Sequence, residues 1–379
     1  MKTTPGRYRH FKGREYEVLG VARHSESDEA LVVYRPLYGS YRLMVRPQTM
    51  FLEKVARDGA FMPRFAYLGP TLMKKLSPHQ WQAAHDYLLH EARPLEAARY
   101  RFHLEHGSAG EVLAALSAFK NDDGGFGRAL EPDVRTPASS ALATSVALQI
   151  MQEVSAPASH PLVQGALAYL LASYDSATQR WYIIPPEAES APRAFWWMAD
   201  GLEERFSRFW LNPRAELFGA LWRFAGPERI PWLRAVTESL VHQIAQHSEP
   251  LAGNDLLCVL RLAETPHLPE ALVAHLQPRL LHDVAASVVT DPARWGEYGL
   301  RPLEVAPAPE APYATVFPEA IQANLDYLLE SQGADGAWQP SWSWEALDAG
   351  TWRQAEREWK GVVTLNALRA VQAWGRVAR

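Results

Sequence analysis

Hydrophobic positions along this 379-residue chain follow two different periods. Between Glu15 and Tyr67 they come in short runs, EYEVLGVA, EALVVYRP, YRLMVRP, TMFLEKV and FMPRFAYL, rich in β-branched and aromatic residues. SESD, YGS and RDGA separate several of them, the turn chemistry expected between strands. Five short strands of this kind predict a small barrel or rolled sheet within residues 1–70. GPTLMKKLSP, bracketed by Pro70 and Pro78, then reads as a linker over 71–76. From Ser77 the period becomes helical. In SSALATSVALQIM, Leu142, Val146 and Ile150 form one stripe with Ala143 and Ala147 beside it, the pattern of a helix packed closely on neighbours. Proline at a first helical turn recurs in SHPLVQGALAYLL, LNPRAELFGALWRF, HLPEALVAHL and VFPEAIQANLDYLL, where its missing N–H costs nothing. Residues 77–379 accommodate about a dozen helices and need no strand.

The helical region repeats. VLAALSAFKNDDGGFG (112–127) and NLDYLLESQGADGAWQ (324–339) share a Leu-rich helix, a long polar residue (Lys120, Gln332), Asp-Gly and an aromatic (Phe126, Trp338). ALAYLLASYDSATQRWY (166–182) is a degenerate copy without the glycine. The intervals from Lys120 to Tyr174 and from Tyr174 to Gln332 are 54 and 158 residues, close to one and three repeats of one length. Such a period implies an array of about six helical hairpins, a number that can close into a ring. The turn itself needs no chemistry: a long side chain reaches helix-end carbonyls, Gly supplies φ > 0, and Asp122, Asp123 or Asp335 caps the helix that follows.

LLESQGADGAWQ together with AFKNDDGGFG resembles the Q-then-G-x-W repeat of the terpenoid cyclase and protein prenyltransferase superfamily, and the closing EWKGVVTLNALRAVQAWG resembles a final inner helix of such a ring. The resemblance covers about 300 residues and implies an α/α toroid. That family's D-x-D-D proton donor and D-D-x-x-D magnesium motif are absent here. Its zinc site uses an Asp and a Cys two apart plus a distant His. In GNDLLCVLRLAE, Asp255 and Cys258 are three apart; a helix could aim both one way, with His267, His275 or His282 as a third ligand, whereas a lone Cys inside LLCVL reads as core. No metal and no other cofactor is expected. The N-terminal PGRYRHFKGREYEVLGVARHSES, with LVVYRPLYG, RLMVRPQTMFLE and PRF, resembles a small bacterial domain of unknown function, whose implied shape is an SH3-like β-barrel. There Tyr16, Tyr34, Tyr38 and Tyr41 interleave with Arg35, Arg42 and Arg46, either as a stacking and cationic face for a peptide or nucleotide or as barrel filling with wet arginines.

In a ring of hairpins the inner helices turn their N-terminal ends, with orphan N–H groups, toward a central cavity. Inner helices expected to start near Ser139, Asn212, Asn254 and Gly361 make Glu131, Asp133, Arg135, Glu216, Asn254, Asp255 and Lys360 the candidates. In ALEPDVRTPASS, Glu131 and Asp133 stand two apart in a Pro-containing loop, so no helix face requires them. Arg135 could hold one ionised while the other titrates, a general acid and base; the alternative is an acid–arginine network that only fixes the loop. The 14 Trp cluster in RAFWWMADGLEERFSRFW, which contributes Trp196 and Trp197, and in AWQPSWSWEALDAGTWRQAEREW. Such faces suit an apolar molecule or a sugar, or fill wedges between helices.

Charge and cysteine content narrow the picture little. Residues 1–70 carry 12 Lys and Arg against 7 Asp and Glu, and the remainder has a net charge of −10. The basic head is a weak signal for an anionic partner. One cysteine makes no internal disulfide, MKTTPGRYRHFKGREYEV lacks the apolar core of a signal peptide, and no apolar run reaches membrane-spanning length. The chain is expected to be cytoplasmic, without membrane insertion, and to act either as an enzyme on a small organic or glycan substrate in the toroid cavity or as a non-catalytic binder or scaffold whose barrel recruits a partner.

Overall fold

The alternating segment builds an antiparallel sheet that stays open. The computed structural model describes residues 3–38, 43–57, 59–70, 73–205 and 211–378, and the chain divides into two units, Met1–Lys75 and Leu76–Arg379. The first unit contains β1 (Gly6–His10), β2 (Glu15–Arg23), β3 (Ala30–Pro36), β4 (Met44–Pro47), a one-turn helix α1 (Gln48–Leu52), β5 (Lys54–Arg57), β6 (Ala60–Pro63) and β7 (Phe65–Gly69). Five strands lie in the order β4-β3-β2-β1-β7, and β5 and β6 form a separate ribbon.

The expected SH3-like barrel is therefore not formed: β4 and β7 end the sheet order without meeting. One face is sealed by α1 instead, whose buried Phe51 stacks on Phe65 at 4.1 Å above Tyr8, Val18, Val32 and Tyr34. TMFLEKV, expected as a strand, is thus α1 followed by β5. Strand β1, upstream of the expected start, was hidden by its cations: Arg7 and Arg9 both pair with Glu15, leaving Tyr8 to face the core. Of the Tyr–Arg set, Tyr34 is core, Tyr16 and Tyr38 share a 2.6 Å hydroxyl bond, Arg35 pairs with Glu17 and Arg46 donates to the Tyr34 hydroxyl. Tyr41 and Arg42 lie outside the described residues.

The second unit is mainly helical: α2 (Pro78–His90), α3 (Pro94–Leu104), α4 (Ala109–Leu116), α5 (Ala141–Glu153), α6 (Pro161–Ser173), α7 (Leu202–Arg205), α8 (Arg214–Phe224), α9 (Leu233–Gln246), α10 (Gly253–Ala263), α11 (Glu270–Ser287), α12 (Pro302–Val305), α13 (Pro318–Glu330) and α14 (Ala349–Ala373). Serines cap several starts, with reciprocal capping boxes at Ser77/Gln80 and Ser108/Glu111. α5 packs on α8, α8 on α10, and α14 on both α2 and α3. Glu153 ties α5 to Arg99 and His103 of α3 and to Arg369 of α14. Among the described residues, no helix is long and apolar enough to cross a membrane.

The repeated turns share their bonds as well as their sequence. Asp123 accepts the N–H of Gly125, and Asp335 that of Ala337, so each aspartate closes its own turn; the helices that follow are capped by Ser140 and Asp348. Backbone N–H groups of the buried Phe126 and Trp338 donate to Thr144 and Thr364. The Trp338 indole donates to Leu328 O at 2.7 Å, and Trp181, in the degenerate copy, donates to Leu170 O at 2.8 Å. Each indole satisfies a carbonyl near the end of the helix before it. Gly124 lies against the backbone of Gly165 in α6, and Gly336 against that of Ala83 in α2. The turn after α13 thus meets the first helix of the unit as the turn after α4 meets α6. Gln80 donates to Leu329 O, Gln332 to Gln80 O, and Leu76 N–H donates to Arg376 O while Ala378 N–H donates to Leu76 O, which pairs the two ends of the unit. Helix α14 starts at Ala349 rather than near Gly361, which sits mid-helix where a Cβ would come within 3.0 Å of Ala92.

Both turn glycines have left-handed backbone, φ +89 at Gly124 and +85 at Gly336. Gly124→Ala and Gly336→Ala should each lose at least ~2 kcal/mol, combining the left-handed penalty with overpacking. Gly253→Ala, at φ +53 but with nothing within 4 Å, should lose only about 1 kcal/mol. Denaturant melts of the three variants check this; equal losses would mean that the backbone contacts carry no weight.

Candidate functional site: a carboxylate pair among indoles

Between the first turn and α5 the chain makes an excursion from Gly127 to Ala138 that is pinched at its base. A Cβ on Gly127 would collide with Ala138 O, Arg128 N–H donates to Thr136 O, and Asn121 holds Pro137 O at 2.8 Å. Arg128 and Ala129 have φ +57 and +58, a curvature that throws the next residues outward from the pinch. Arg93, at the start of α3, donates to Ala129 O and Leu130 O while its other edge is bidentate with Glu96. Farther along, Arg135 N–H donates to Pro192 O and Ala194 N–H to Asp133 O, which brings the turn Phe195–Trp197 alongside. The excursion is held at its base and on both flanks. Glu131 and Asp133 stand at its tip.

The two carboxyl groups meet different surroundings. Asp133 is 2% exposed, and each oxygen accepts an indole N–H: Oδ1 from Trp344 at 2.7 Å and Oδ2 from Trp342 at 3.2 Å. The Trp359 N–H is turned toward the same group without completing a bond of normal geometry. Burial raises the Asp133 pKa, and the indole dipoles and the field of Arg135 oppose that rise. Glu131 has less support. Its Oε2 is buried and forms no hydrogen bond of normal geometry. Burial, then the neighbouring Asp133 charge, drives its pKa well above the usual carboxylate range against weaker help from backbone N–H groups and the Trp197 indole. One member is pushed toward the neutral acid while the other keeps donors suited to an anion.

Arg135 belongs to neither carboxylate directly. It is bidentate to Glu358 of α14, at 2.8 and 3.0 Å, with both side chains 11% exposed. Glu216 lies in a second cluster, accepting from Ser145, Gln149 and Arg261. Asp255 accepts the Asn212 N–H at 2.9 Å, and burial raises its pKa to about 6. Cys258 is buried with its thiol toward Asn212 Oδ1, so Asp255 and Cys258 serve one backbone corner; among the described residues no three His, Cys, Asp or Glu side chains group as metal ligands. Lys360 pairs with Asp335 over the Tyr87 ring, bracing the repeat turn. Trp197 is buried and Trp196 half-buried. Asn254 is exposed and reaches the Tyr298 hydroxyl at 3.5 Å.

Tyr298 and Glu358 were not singled out by sequence, and Trp342, Trp344 and Trp359 were marked only as members of a tryptophan cluster. The W-x-W spacing of Trp342 and Trp344 was the available signal, since two residues apart in extended chain lie on one side. Tyr298 is 64% exposed, yet burial by surrounding protein raises its pKa. Glu304 behaves alike, with a side chain 44% exposed and a pKa raised by burial.

The chain thus joins an open antiparallel sheet unit to a helical unit carrying a carboxylate pair among indoles. Residues 6–67 match the family described as a protein of unknown function (DUF1653), and the chain belongs to that family through this N-terminal segment. A solved DUF1653 protein from Bordetella bronchiseptica is 40% identical, covering 18% of this chain and 92% of its own, with a TM-score of 0.18. Two structures of the type II terpene cyclase MstE from Scytonema each cover 78% of this chain. One, in complex with geranylgeranyl dihydroxybenzoate (substrate), is 14% identical over 97% of its chain with a TM-score of 0.40. The other, without ligand, is 15% identical over 87% with a TM-score of 0.36. No curated protein matches the chain.

Arg135→Met should strand Glu358 and cost roughly 3–5 kcal/mol, the scale for breaking one side of a buried pair. Adding Glu358→Leu should recover most of that loss. Chemical denaturation of the two variants and the parent checks the coupling; a neutral Arg135→Met would mean that the pair does not anchor the loop.

Proposed function

We propose that the helical unit is a closed α/α toroid of six hairpins, and that it is an enzyme in which Glu131 gives a proton to a small organic molecule held in the lumen while Asp133 acts as the anionic base. The ring reading rests on the contacts of the first helix, α2, with α14 and with α13 and the turn after it, Gln80 with Leu329 and Ala83 with Gly336. Pairing outer with inner helices gives α2/α3, α4/α5, α6/α8, α9/α10, α11/α12 and α13/α14. Tyr298 and Glu304, whose pKa values burial raises, would then line the lumen.

A single observation carries the chemistry: Glu131 Oε2 is buried and completes no hydrogen bond of normal geometry, beside an aspartate supplied with donors. A carboxyl group kept neutral by burial has a proton to give near neutral pH, and a neighbour kept ionised can receive one or steady developing positive charge. Pairs whose environments push their pKa values apart take the acid and base roles. Arg93 and the Arg135–Glu358 pair act as positioning groups that fix the loop on either side. A binder without turnover would use the same aromatic wall but would not need the proton.

Burial raises the Glu131 pKa above its value in the unfolded chain. Within that window the unfolded chain releases a proton that the folded one keeps, so stability falls as pH rises; below the window both states are protonated and the effect vanishes. Glu131→Gln removes this loss. Its melting temperature relative to the parent should rise from about pH 4 upward and level off once folded Glu131 ionises. At a pH where an exposed glutamate is ionised, the parent should also show the infrared carbonyl band of a protonated carboxylic acid, absent from the variant. Mass spectrometry of a cell metabolite extract incubated with each protein should show a compound consumed by the parent alone. A pH-independent melting difference with no infrared band would remove the acid, and the enzyme reading with it.

A further inference from the structure

Three rings meet beside Asp133. Trp342 stands 5.0 Å from Trp359 at 83°, and Tyr298 stands 6.2 Å from Trp342 at 90°. Perpendicular neighbours present faces in different directions, as the sides of a box do. Trp342 and Trp359 are half-buried, and Tyr298 is largely exposed and within electrostatic reach of Asp133. The Trp342 N–H edge is given to the carboxylate, so its polar group is spent, and the half-buried ring keeps part of its surface open.

The charge on Asp133 is balanced differently from most buried carboxylates. Both oxygens accept N–H groups, an arrangement that suits the ionised form. Indoles are neutral and cancel no charge. Arg135, whose field reaches Asp133, is already matched by its bidentate bond to Glu358. A negative charge at the base of an aromatic box, with its nearest guanidinium partner spent elsewhere, favours a positive guest, because ring faces carry the negative side of the aromatic quadrupole.

We propose that this box binds an organic cation, specifically a quaternary ammonium group, with Asp133 as its counter-ion and Trp342, Trp359 and Tyr298 against its alkyl substituents. The proposal rests on reading the Glu131–Asp133 cluster as a ligand site, and it names the class of substrate or product. A primary ammonium needs three acceptors for its N–H groups, and each Asp133 oxygen already spends part of its accepting capacity on an indole. An alkylated nitrogen donates nothing and needs only charge and π faces.

The test titrates the full chain with choline and with its uncharged analogue, in which a quaternary carbon replaces the nitrogen, followed by calorimetry and Trp fluorescence. Choline should bind at least about tenfold more tightly, the scale of one or two cation–π contacts. Asp133→Asn should erase that preference, and Trp359→Leu should weaken choline at least several-fold. Tyr298→Ala, on the exposed wall, supplies a variant whose folding is not at stake and should also weaken it. Equal affinity for the two probes, or no saturable choline binding in the millimolar range, overturns the proposal. Saturable binding of a neutral sugar in place of choline overturns it as well. If choline fails while the Glu131 infrared band is present, the substrate class falls and the acid stands; if choline binds without the band, the box is a cation site lacking a proton donor.

Discussion

At Gly124 and Gly336 two backbones approach so closely that no side chain fits between them. Much else follows from that constraint. The turn must carry glycine in left-handed conformation, the aromatic after it must go inward, and the helix beyond must start where Thr144 or Thr364 can receive the aromatic residue's N–H. A buried Phe126 with a bonded backbone leaves the chain one exit, the excursion that carries Glu131 and Asp133. The turn is architectural, and the architecture aims the carboxylates.

The same economy governs the electrostatics. Each arginine around the loop is committed: Arg93 to Glu96 and two carbonyls, Arg135 to Glu358. What reaches the carboxylates is mostly dipolar, from indole and backbone N–H groups. Dipoles stabilise an anion without the full charge that would hold every nearby acid ionised, so two carboxyl groups in one loop can differ in protonation.

The period change near Ser77, the helical content and the repeated turn were legible because each rests on local pattern. Closure of the sheet was not, since Phe51 reads equally well in a strand or a turn of helix; only its stacking on Phe65 decides. Glu131 and Asp133 stood out as acids that no helix required, but their partners lie some two hundred residues away at Trp342, Trp344 and Trp359. Arg135 was read beside its sequence neighbours and found its match on α14. Lys360, adjacent to a glycine that looked like a helix start, is mid-helix because that glycine serves close packing on Ala92. Local pattern marks the residues that are out of place; it does not name their long-range partners.

The exchange of backbone bonds between Leu76 and the segment ending at Ala378 has a consequence for how the helical unit comes apart. Open arrays of repeats fray from their ends, where a terminal unit has one neighbour instead of two, and they depend on special capping repeats. Here α14 packs on α2, and in the closed ring proposed above no hairpin would occupy that weak position. Opening such a ring anywhere would expose two interfaces at once. Slow hydrogen exchange should therefore be spread evenly around the unit, with neither terminus melting ahead of the middle.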